Sequence, residues 1–127
     1  MTLDYSNTLY IADMRNHRVQ KYLQDASFGE TVAGQKLGLS GTNSSFLSLP
    51  TDMTVETNGD IYVCDFNNHR VQLWTSESTT GATVAGTGKP TLNTSIWSGH
   101  SIRIFIGIAG NASNQLNYPY GVTRDPI

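Results

Sequence analysis

The sequence predicts an all-β fold assembled from repeated antiparallel four-stranded units. Three observations carry that expectation: an internal repeat spaced 52 residues apart, short runs of β-branched and aromatic residues bounded by turn residues, and twelve glycines among many Ser, Thr and Asn. The 127 residues give room for one ordinary domain. At 38% hydrophobic and 14% charged residues, the chain is too apolar for a disordered tail and too sparsely charged for a coiled coil. A formal charge of −2 argues against a general nucleic-acid binder, which carries a basic excess. One cysteine excludes an internal disulfide framework and any paired-cysteine zinc or redox site. No run reaches the roughly 18 apolar residues that span a bilayer. Residues 1–10 lack the basic start and apolar core of a signal peptide.

The repeat is read directly. Tyr10-Ile11-Ala12-Asp13-Met14-Arg15-Asn16-His17-Arg18-Val19-Gln20 returns as Tyr62-Val63-Cys64-Asp65-Phe66-Asn67-Asn68-His69-Arg70-Val71-Gln72. Without a gap, residues 1–34 align on 53–86 with 14 of 34 positions identical. Four strands are expected in the second copy. The first, around 52–56, follows Pro50, which cannot serve a central ladder and so marks an entry. Asn58-Gly59 is a two-residue hairpin signal. The second strand runs from Asp60 to Cys64, alternating Ile61 and Val63 with Tyr62 and Cys64. Asp65 to His69 form a turn of residues that hydrogen-bond their own backbone. The third strand is Arg70–Trp74, and the fourth, Ala82 to Ala85, closes at Gly86. Four antiparallel strands in a repeat of this length are the signature of a propeller blade.

A third copy begins late. Leu49 to Glu56 resembles Tyr118 to Asp125 at an offset of 69, so the second linker is 17 residues longer than the first. Residues 87–115 do not match the first linker, and Ser101-Ile102-Arg103-Ile104-Phe105-Ile106-Gly107-Ile108 is unusually apolar. This irregular insertion reads either as an extra strand, as an aggregation-prone segment, or as a gene-model error whose removal restores the spacing.

The pattern Pro-x-x-apolar, then Asn-Gly-x-Ile-Tyr-Val-x-Asp-x-x-Asn-His-Arg-Val-Gln, resembles the NHL repeat, in which Arg commonly takes the third signature place. The resemblance covers residues 1–34, 49–86 and 116–125. It implies β-propeller blades and an incomplete propeller: a first blade at 1–34 lacking its start, a second at 49–86, and the first strand of a third within 116–127. A slice of a larger protein is the expectation; self-association of several copies into a ring is the alternative. Further blades or self-association would be needed to close the ring.

Asp13, Asn16, His17 and Arg18, with Asp65, Asn68, His69 and Arg70, are the repeated signature. Imidazoles recurring on neighbouring blades invite a metal or general-base reading. A residue that every blade carries is instead expected to serve the blade. Each Arg stands across a hairpin from its Asp, so a local ion pair is the structural expectation. A rim of His17, Arg18, His69 and Arg70 facing an acidic or phosphorylated partner is the functional one. Tyr22 and Trp74 are expected in inter-blade packing, and Cys64 as a small buried hydrophobe. Asn43, Asn93 and Asn111 open glycosylation triplets, which arise easily in this composition. Gly86-Thr87-Gly88-Lys89 lacks the strand–loop–helix setting of a phosphate loop.

No catalytic residue, metal site or cofactor is expected. The resemblance implies a non-catalytic module that recognises a protein, peptide or other ligand through its loops. The alternatives it leaves are an RNA-binding propeller segment and part of a propeller enzyme of the amidating-lyase type. Zinc-ligand cysteines for the RING and B-box domains that accompany some NHL propellers are absent from this sequence.

Overall fold

A computed structural model describes residues 2–4, 6–86, 94–97, 100–106 and 119–124. Eleven strands are present among them, in two four-stranded sheets and one three-stranded sheet, all antiparallel. The first sheet takes β1 (Thr2–Leu3), β2 (Leu9–Asp13), β3 (Arg18–Tyr22) and β4 (Glu30–Gly34) in sequence order. The second repeats it with β5 (Pro50–Val55), β6 (Ile61–Asp65), β7 (Arg70–Trp74) and β8 (Ala82–Gly86). The third is ordered β11 (Pro119–Arg124), β10 (His100–Ile106), β9 (Thr94–Trp97).

Two local expectations shift. The first strand of the second sheet opens on Pro50 itself, paired with Asp65; as the edge strand, β5 tolerates a residue with no N–H. The second strand begins one residue later than expected, because Asp60 belongs to the turn. The Glu56 N–H donates to Asp60 O at 2.7 Å and the Asp60 N–H to Asn58 Oδ1 at 3.0 Å. The connection is therefore longer than a two-residue hairpin, with Gly59 at φ +92° supplying the left-handed residue that re-enters the ladder. In the first sheet Asn7, at φ 60°, fills the same place.

Burial follows the strand alternation. Tyr10, Val19 and Ala33 of the first sheet form one core with Leu47 and with Met53, Val55, Ile61, Val63 and Trp74 of the second. The opposite face of the second sheet supplies Tyr62, Cys64 and Val71, which pack with Val122 of β11. All five residues of β6 are buried, since a neighbouring sheet covers each of its faces. Among the described residues, nothing gives the first sheet such double cover at its start. Leu3 is 63% exposed, whereas Val55, its repeat equivalent, is 7% exposed.

Within the insertion, 94–97 and 100–106 are strands. The remainder of 87–115, with Asn93 and the triplet opened by Asn111, and residues 116–118 and 125–127 lie outside the described residues.

Candidate functional site

The signature residues gather at the turns joining the second and third strands. In the first sheet, Asp13 ends β2 opposite Arg18, which begins β3. Between them Met14–Asn16 form one 3-10 turn, closed by a bond from the His17 N–H to Met14 O at 3.1 Å. His17 sits at φ 51°, and His69 at φ 53° in the matching turn. This left-handed conformation reverses the chain within a turn too short for a longer loop.

The Asp carboxylate holds each turn. Asn16 Nδ2 donates to both oxygens of Asp13 at 3.1 Å, and Arg18 Nε donates at 3.0 Å. In the second turn, Asn68 Nδ2 donates to Asp65 Oδ2 at 2.9 Å and Arg70 Nε to the same oxygen at 2.7 Å. The other oxygen, Asp65 Oδ1, accepts the Ser48 N–H at 2.7 Å.

The two copies differ in burial. Arg18 and Asp13 side chains are 24% and 28% exposed, against 9% and 0% for Arg70 and Asp65. The cause is the linker that leaves β4 and enters β5. It wraps over the second turn, giving Thr42 O, Asn43 O and Phe46 O to the Arg70 guanidinium at 2.9–3.0 Å. Asn68 Nδ2 also donates to Gly41 O at 2.8 Å. Arg18 meets the same linker earlier, through Lys36 O at 2.9 Å.

His17 completes the joint. Its Nδ1 accepts the Leu49 N–H at 3.0 Å, so consecutive linker amides, Ser48 and Leu49, are taken by signature side chains of different blades. Leu49 itself is left-handed at φ 52° and precedes Pro50, a conformation that needs such an anchor. His17→Asn keeps the tolerance for positive φ but cannot reproduce the imidazole acceptor. Urea unfolding should then show a loss of about 1 kcal/mol, the net worth of one such bond.

The four residues of the candidate rim thus have distinct positions. Arg70 is buried inside its turn with its donors committed to the linker, and does not face outward. His17 joins the blades, His69 is half-buried in its turn, and Arg18 alone of the two arginines keeps partial exposure. Among the described residues, no group of three His, Cys, Asp or Glu side chains is placed to hold a metal.

Trp74 is 1% exposed, and its indole N–H donates to Ser78 O at 3.1 Å. The ring lies on Gly81, where a Cβ would come within 2.5 Å of Cε3, so only glycine allows this approach. Tyr22 keeps the equivalent place in the first sheet and is half-buried. Burial raises the Tyr62 hydroxyl to about 12, with Glu56 and Asp60 adding to the effect. Burial likewise pushes the Cys64 thiol up, helped by the Asp52 and Asp65 carboxylates, so the sulfur stays protonated and inert.

The linker's part was not read from the sequence. Its only signal was the proline recurring at 50 and 119 before the first strand. Also unread was the exposed apolar set on the same rim: Met14 at 42%, Leu37 at 84% and Leu39 at 56% exposure.

Residues 47–73, which span the end of the linker through most of β7, match the family model of the NHL repeat. None of the curated proteins compared matches the chain. Residues 47–73 thus resemble one NHL repeat, the first sheet repeats the matched one at a 52-residue offset, and the described sheets are consistent with NHL-like blades in an incomplete propeller.

Proposed function

We propose that this chain is a non-catalytic recognition segment that binds a protein or peptide on the rim carrying the signature turns and the inter-blade linker. The observation behind this reading is the division of labour on that rim. Asp13, Asn16, Arg18 and His17, like Asp65, Asn68 and Arg70, spend their polar atoms within the fold. The residues left outward include an apolar set, Met14 in the turn and Leu37 and Leu39 in the linker, beside exposed Arg15 and Lys36. The linker lies against the turn there, with Gly38 beside Asn16 and Lys36 O held by Arg18.

Apolar groups on a loop that is itself anchored suit the burial of a partner's apolar side chains. An enzymatic role would need reactive groups freed from structural duty. An RNA-binding role would need a basic excess, which a formal charge of −2 does not supply.

Selection from a displayed random-peptide library tests this reading. Peptides enriched on the native chain should bind Leu37→Asp/Leu39→Asp at least about tenfold more weakly, with unchanged melting temperature, as expected for central apolar contacts. Failure to enrich any peptide, or RNA retention falling steeply with salt, would contradict it.

A further inference from the structure

The third sheet reproduces the second in register but not in chain order. In the second sheet, Pro50, Asp52, Met53, Thr54 and Val55 of β5 pair with Asp65, Cys64, Val63, Tyr62 and Ile61 of β6. In the third, Pro119, Gly121, Val122, Thr123 and Arg124 of β11 pair with Ile106, Phe105, Ile104, Arg103 and Ile102 of β10. At the 69-residue offset that aligns β11 on β5, each β10 residue falls on one β6 residue, and the irregularity after the proline coincides. The next strand agrees as well. Ile102 pairs with Ser95 of β9 as Ile61 pairs with Trp74, and Arg103 with Thr94 as Tyr62 with Leu73. Directions match throughout. In the second sheet, however, the inner strand comes first along the chain, whereas here it comes last.

We infer that β9 and β10 are a surrogate for the third and second strands of a third blade, supplied from upstream to hold β11 on the second blade. An inner strand alone would present an unpaired edge. Paired with β10, β11 keeps Val122 on Tyr62, Cys64 and Val71, and its Val122 N–H donates to Asp52 Oδ2 at 3.1 Å. The surrogate also occupies the edge that a strand following β11 would use in a blade of ordinary connectivity. Such a strand has to displace β10 to pair with β11 there.

Two experiments on the full chain test this. With Cys64→Ala, the residue the first blade has at Ala12, Arg103→Cys/Thr123→Cys should oxidise to a disulfide. Phe105→Cys/Thr123→Cys should stay reduced, since only directly opposed pairs meet the geometry. Absence of the first cross-link, or equal yields, overturns the register. Ile104→Pro, with Cys64 native, removes a ladder position. Thiol labelling of Cys64 without denaturant should then accelerate at least about tenfold as β11 loosens. An unchanged rate overturns the holding role, and the cross-link decides the register even where Ile104→Pro unfolds.

Discussion

Asp65→Ala should cost about 3–5 kcal/mol, the loss expected when one partner of a buried ion pair is removed. The carboxylate is fully buried and accepts from Ser48 N, Asn68 Nδ2 and Arg70 Nε. Without it, Arg70 remains buried with its charge uncompensated, still held by three linker carbonyls. Asp13→Ala removes the same signature residue from the first blade, where both partners keep about a quarter of their side-chain surface. That loss should stay below about 1 kcal/mol, the range of solvent-screened pairs. Urea unfolding of both variants checks the comparison. Equal losses would show that burial by the linker does not set the worth of the signature.

Trp74→Ala should cost about 3–5 kcal/mol, the range for emptying a large aromatic from a core. The ring is buried with Tyr10, Val19 and Ala33 of the first sheet and Leu47 of the linker, so its loss loosens two blades at once. Trp74→Phe should recover most of the stability while leaving Ser78 O without the indole donor. Tyr22→Ala, at the half-buried equivalent, should cost clearly less. Melting temperatures in that order support inter-blade packing; a Trp74→Ala variant as stable as Tyr22→Ala would contradict it.

The strands were legible because each blade's alternation and turn chemistry are local and appear twice. Arg70–Trp74 could be placed to the residue from Val71, Leu73 and the turn before it. The Asp–Arg pairing was legible for the same reason, since the two residues face each other across one hairpin. Other features depend on contacts distant along the chain. Arg70 meets Asn43 and Phe46 more than 20 residues away, and nothing local marks a linker carbonyl as an acceptor. His17 reaches Leu49 across 32 residues, so the sequence displayed two recurring imidazoles without showing that one ties the blades together. The third sheet was illegible for a further reason. Ile102, Ile104 and Ile106 match a second strand only once β11, later in the chain, gives them a register.

The signature residues on this reading build a joint, and recognition falls to the loops that the joint holds still. Apolar Met14, Leu37 and Leu39 can face outward because Asp13, Arg18 and His17 anchor the backbone beneath them.

Amide hydrogen exchange at Ser48 and Leu49 tests this most directly. Both amides lie in a linker, outside any strand, yet one is bound to Asp65 and the other to His17. They should exchange as slowly as the amides of β6, with Leu49 accelerating more than β6 in His17→Asn and Ser48 more than β6 in Asp65→Ala. Exchange of both at open-loop rates in the native chain would contradict the joint.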